Sequence, residues 1–225
     1  MPWERDVDVR FHVGSASVRR VADGQWASSR STRDGSLYTA DWIQGCIIEG
    51  KGYTAGIGLL SAAEVLQAAA ITTLRPVLWV RVPTDTTIIP IYAAVQAEDT
   101  GAVNAFEIAL GGSTIDAGNG TSVAADFGPV NLVTRGSVGK CTARQEATGD
   151  VTAASDPPSD LWRVFLNSDT VADSEYPEVN REWEPYPRCP VLVGPATLHL
   201  SIGSSAAPTA TAQLQWLEFD TDDIR

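Results

Sequence analysis

Two histidines, three cysteines and twenty-eight carboxylates are the side chains of this 225-residue sequence best suited to move protons, attack carbonyls or ligate metals. His12 and His199 each occupy a polar position in an alternating stretch, Val-Asp-Val-Arg-Phe-His-Val and Ala-Thr-Leu-His-Leu-Ser-Ile. A catalytic triad needs such a base beside a nucleophile and a third group to orient it, and neither histidine is accompanied by a nucleophile-elbow pattern. Both are therefore expected on the solvated face of a strand. Cys46, Cys141 and Cys189 are odd in number and widely spaced, with no CxxC pair. They encode neither a zinc knuckle nor a disulfide framework, and free thiols are expected. Asp169, Asp173 and Glu175, and again Asp220, Asp222 and Asp223, are oxygen clusters of a kind calcium uses, yet both depart from the EF-hand spacing. Two carboxylates at a set separation would suffice for a glycosidase, but spacing along β strands does not supply that separation. Gly50, Gly52 and Gly56 miss the dinucleotide fingerprint. The expectation is no catalytic residue, no metal and no cofactor, hence not an enzyme.

Aromatic side chains offer a different chemistry, since their faces stack on sugar rings and anchor interfaces. Of the seven tryptophans, Trp79, Trp162 and Trp216 lie inside strand-like patterns and are expected in the core. Trp183 and Tyr186 stand in a stretch with four prolines, residues 176–190, and are the expected exposed contacts.

The elements that would position these residues are mostly strands. Residues 7–13 and 196–202 alternate apolar and polar, the signature of a half-buried strand. Residues 77–82 and 86–95 are dense in β-branched and aromatic side chains, and 83–85 supply a turn. Pro90, which cannot donate to a ladder, belongs at a bulge, a strand start or a sheet edge. Further strands are expected at 37–48, 105–110, 130–134, 138–144, 161–166 and 212–219. One short helix is expected at about residues 62–70, where Ser61 and Glu64 form a capping box before an apolar stripe. Residues 14–36, rich in Ser, Arg and Gly, read as a long irregular arm. Short strands separated by turn signals predict an all-β single domain over 1–225, a jelly roll or sandwich.

Charge narrows the partners. The net charge of −12 opposes a phosphate backbone, which argues against nucleic acid as the main partner. No apolar run is long enough to cross a membrane, and the start of the chain lacks the basic-then-apolar order of a signal peptide. Against this acidic background the first forty residues hold six arginines and only five carboxylates. Arg19, Arg20, Arg30 and Arg33 lie in the arm and, with Trp183 and Tyr186, are the expected interface residues.

The run Val-Arg-Val-Pro-Thr-Asp-Thr-Thr-Ile-Ile-Pro-Ile at 80–91 resembles jelly-roll virion proteins of tailed and tailless bacterial viruses. There, a strand ending in Val-Pro leads through a turn of small residues into an apolar strand. The likeness extends to Asn131-Leu132, to Gly194-Pro195 before an apolar strand, and to Trp216-Leu217-Glu218-Phe219 at the close. It covers about the last two-thirds of the chain by pattern, and residues 1–60 lie outside it. What it implies is a capsid, decoration or spike protein that assembles with itself and other virion proteins, made in the host cytoplasm and residing in the virion. The contrasting expectation is a non-catalytic carbohydrate-binding β-sandwich module, with a host-surface glycan as partner.

Overall fold

A computed structural model describes residues 41–58, 64–65, 76–99, 106–113, 121–122, 128–145, 159–166, 179–204 and 209–223. The strands are β1 (Gly52–Ile57), β2 (Glu64–Val65), β3 (Leu78–Val82), β4 (Thr86–Asp99), β5 (Phe106–Ser113), β6 (Thr121–Ser122) and β7 (Val130–Asn131). They continue with β8 (Thr142–Gln145), β9 (Ser159–Leu166), β10 (Val179–Trp183), β11 (Leu192–Val193), β12 (Ala196–Ser204) and β13 (Thr209–Asp220). One α-helix, α1 (Trp42–Ile48), precedes them, and a 3-10 turn, Thr221–Asp223, follows. The expected strand at 7–13 and the arm at 14–36 lie outside the described residues.

These strands form two antiparallel sheets. Sheet I runs β10-β4-β13-β1-β7, with β11 also on β4 and β2 on β13, and sheet II runs β6-β8-β3-β12-β5-β9. The eight principal strands, numbered in chain order, give 1-8-3-6 in sheet I and 2-7-4-5 in sheet II. That order is the jelly roll, two Greek keys wound into facing sheets. The fold is thus an all-β sandwich, as the alternation predicted.

Alternation along each strand sends one set of side chains between the sheets. Leu78, Val80, Val82, Ile88, Val95, Ile108, Leu110, Leu198, Leu200, Leu214 and Trp216 make the main core, all fully buried. A second, smaller cluster lies on the outer face of sheet I, where Ile89, Ile91, Leu217 and Phe219 are covered by Ile43, Cys46 and Ile47 of α1. The two clusters explain why residues 88–91 read as an unbroken apolar run: this part of β4 is buried on both faces. Between them the register of β4 against β13 shifts, Gln215 facing Tyr92 and Trp216 facing Pro90, so that Ile91 is the extra residue. Pro90 therefore lies at a bulge, where its missing N–H is tolerated. The corner from β3 to β4 is tight, since Thr86 N–H donates to Pro83 O at 3.1 Å and Gly194 N–H to Thr86 O at 2.9 Å. A Cβ on Gly194 would stand 1.8 Å from the Pro83 carbonyl oxygen, so only glycine fits.

Two elements correct the sequence expectation. The helix lies at Trp42–Ile48, where a strand was expected, because Ile43, Cys46 and Ile47 are three and four residues apart and face sheet I together. Gly50, at φ +79°, ends the turn that follows and donates to Ile47 O. Conversely, Glu64 and Val65, inside the expected helix at 62–70, are extended and pair with Ala210 and Thr209. Ladder bonds to the start of β13 override the local capping signal there. The Pro-rich stretch is likewise part strand, since β10 runs along β4 before the turn at 185–188.

Candidate functional site

At one end of the sandwich the β3–β4 corner, the approach to β8 and the end of β13 bring charges together. Lys140 Nζ lies 3.0 Å from Asp85 Oδ2 and 2.5 Å from Asp220 Oδ1. The ammonium lowers the Asp85 pKa, and the two carboxylates raise that of Lys140. All three are exposed, so this is a solvated ion-pair cluster of small energetic weight. Beneath it Glu218, almost buried, accepts the backbone N–H groups of Lys140 and Cys141. These carboxylates are engaged by a lysine, by the backbone or, for Asp85, also by the Thr86 hydroxyl, which donates to Oδ1 at 3.4 Å from a fully buried residue. Among the described residues no group of three or more His, Cys, Asp or Glu could hold a metal ion. Asp220 of the second calcium candidate is taken up by Lys140, and Asp169, Asp173 and Glu175 lie outside the described residues.

His199 corrects the solvated-face expectation. Its neighbours Leu198 and Leu200 point into the core, so it points away, yet it is 5% exposed beside Trp79, its partner on β3, at 0%. Alternation identifies the face of a strand but not whether that face is covered. Burial lowers the imidazole pKa to about 4, opposed by the charge of Asp160. His199 is a neutral buried base at ordinary pH. His12 lies outside the described residues, as do Arg19, Arg20, Arg30 and Arg33.

The two aromatic candidates separate. Trp183 is half-buried and packs against the main core, so it is not the exposed contact expected. It stands on β10 opposite Ala93, an inward position, because the strand continues into the Pro-rich stretch. Tyr186, in the turn, is exposed, and its hydroxyl donates to Asp41 beside the start of α1. Among the expected core aromatics, Trp216 is buried between the sheets and Trp162 packs against that core. Trp79 is buried on the opposite face.

Sequence reasoning missed two surfaces. The first is apolar. Trp42 of α1 stacks on Phe219 at 6.3 Å between ring centroids, and Phe219 faces Thr87, which faces Val193. Trp42, Tyr186, Val191 and Val193 are each about half exposed on this side of the β10–β11 edge, the last in its sheet among the described residues. The run Val-Leu-Val at 191–193 carried the signal, but its alternation is hidden because both faces are apolar. The second mixes polar and apolar groups, a groove of about 410 Å³ on the outer face of sheet I beyond the helix. Its residues come from five strands, most of them far apart in sequence, which no linear motif records.

A comparison with models of known protein families and with curated proteins finds no match. Among the described residues no helix is long and apolar enough to cross a membrane.

Proposed function

We propose that this chain is a virion structural protein, a jelly-roll capsid, decoration or spike subunit that acts by assembling with copies of itself and with other virion proteins. The observation that carries the reading is the strand order, 1-8-3-6 facing 2-7-4-5, an architecture used by viral shells. Lectins and cupins share this fold, so the choice among them rests on surface chemistry. Here the β10–β11 edge, the end of its sheet among the described residues, is flanked by the apolar row of Trp42, Tyr186, Val191 and Val193. Exposed apolar groups gathered at a sheet edge gain from being covered by a partner surface. The acidic balance directs that partner toward protein, with Arg19, Arg20, Arg30 and Arg33 of residues 14–36 as complementary charges on a neighbouring copy.

Light scattering on the purified protein tests this against the single-chain mass of 23.9 kDa. Multiples of that mass are expected, and the doubly charged variant Val191→Asp/Val193→Asp should return a single chain with an unchanged far-UV spectrum. A wild-type protein that stays at one chain mass at every concentration would overturn the proposal.

A further inference from the structure

The groove on sheet I, where amides and hydroxyls stand among apolar groups, has a composition unlike either the apolar edge or the ion-pair cluster. Neighbouring strands place its side chains in rows. Gly56, Gln213, Ala94 and Glu182 face one another across β1, β13, β4 and β10, and Thr211, Gln96 and Asn180 form the next row. Thr54, Gln215 and Tyr92 complete a third. All point outward, because their neighbours Ala55, Leu214, Ala93 and Val95 belong to the core. The middle row is low, having no side chain at Gly56 and a methyl at Ala94. A Cβ at Gly56 would lie 3.0 Å from the Ala212 carbonyl oxygen, so this floor is kept open by glycine.

We infer that this groove binds a neutral oligosaccharide laid across β1, β13, β4 and β10. Sugar hydroxyls both donate and accept, and so do the primary amides of Gln96, Asn180 and Gln213 and the hydroxyls of Thr54 and Thr211. Gln213 Nε2 donates to Thr54 Oγ1 at 2.9 Å, and Thr54 Oγ1 donates to Leu214 O at 3.3 Å. That chain fixes the Gln213 side chain and leaves its carbonyl oxygen to accept. Glu182 is held at the rim by the Tyr92 hydroxyl. Strand spacing of about 4.8 Å repeats these groups at intervals comparable to a pyranose ring. The half-buried Tyr92 ring offers an apolar face to sugar C–H groups.

Other ligand classes fit worse. Glu182 is the one charged side chain among the described lining residues, with no Lys or Arg, so phosphate, sulfate and uronate ligands meet repulsion. An apolar ligand would bury amides without partners, at a cost of about 1–3 kcal/mol for each group left unsatisfied. The volume of about 410 Å³ falls within the range of small-molecule sites. The site is separate from the apolar edge, so its failure leaves the assembly reading standing, and the converse holds too.

Calorimetric titration of the intact protein with maltohexaose, cellohexaose, laminarihexaose, chitohexaose and a heparin hexasaccharide tests the inference. At least one neutral hexamer should saturate. Gln96→Ala and Gln213→Ala should each weaken it about tenfold or more with the melting temperature unchanged, while Phe165→Ala on sheet II should leave it as it was. Gln96 is exposed, so its variant keeps the test open if Gln213→Ala fails to fold. The inference is overturned if no neutral hexamer saturates, if the groove variants bind like wild type, or if the heparin fragment binds more tightly than every neutral one.

Discussion

His199 has a folded-state pKa of about 4 against an ordinary 6.5, so the unfolded chain takes up the proton first as pH falls. Its contribution is complete above about pH 7, is lost progressively between about 6.5 and 4, and levels off below. Wild type should therefore lose about 2–3 kcal/mol more than His199→Gln between pH 7 and 4.5, read from urea midpoints at the two pH values. Equal losses would show that the imidazole titrates as in water. Leu200, the next residue, points the other way and is fully buried, so Leu200→Ala should cost about 2–5 kcal/mol in the same assay. The thiols follow burial as well: desolvation raises the pKa of all three, with Glu218 adding to that of Cys141. A thiol reagent at pH 8 should modify half-buried Cys189 first and Cys141 only on unfolding, and all three should react in denaturant without reductant. The side on which His199 and Leu200 stand was legible from alternation. The cover over His199 was not, because it depends on groups remote in sequence.

At the level of elements, local pattern succeeded where one face decides and failed where two compete. β13 shows period-two burial over most of its length, and the sequence displays it, whereas β12 alternates in sequence yet is buried on both faces. α1 is a seven-residue helix whose stability rests on the outer face of sheet I, and its apolar residues suit a strand almost as well. β2 is two residues long, too short for any periodic signal. The same dependence on distant partners makes Glu218 a strong joint. Its carboxylate ties the approach to β8 onto β13 by satisfying two backbone donors, of Lys140 and Cys141. Glu218→Ala leaves both without that acceptor and should destabilise by about 2–4 kcal/mol in denaturant unfolding. Asp85→Ala, which removes one exposed partner of Lys140, should leave the midpoint nearly unchanged. A similar loss for both would assign the effect to the charge cluster instead.

For the whole molecule, the jelly-roll order is a statement about pairs such as β1 with β13 and β4 with β10, which lie far apart along the chain. Strand count and turn spacing narrow the fold to sandwich or jelly roll, and the choice between them needs the pairing. The groove is invisible for the same reason, being a property of five strands at once. Among the described residues the main core runs from Tyr53 to Trp216. Ordering a residue costs about 1–2 kcal/mol of backbone entropy, and the 23-residue stretch 14–36 has little apolar periodicity with which to offset that on its own domain. In the proposed assembly the four arginines of the stretch complement a neighbouring acidic copy. Deleting residues 14–36 should therefore leave a β-type far-UV spectrum and a cooperative melt, while light scattering falls to the mass of one truncated chain. Should the truncated protein build the same oligomer, contact rests on the apolar edge of Trp42, Tyr186, Val191 and Val193 alone, and the arginines have no part in it.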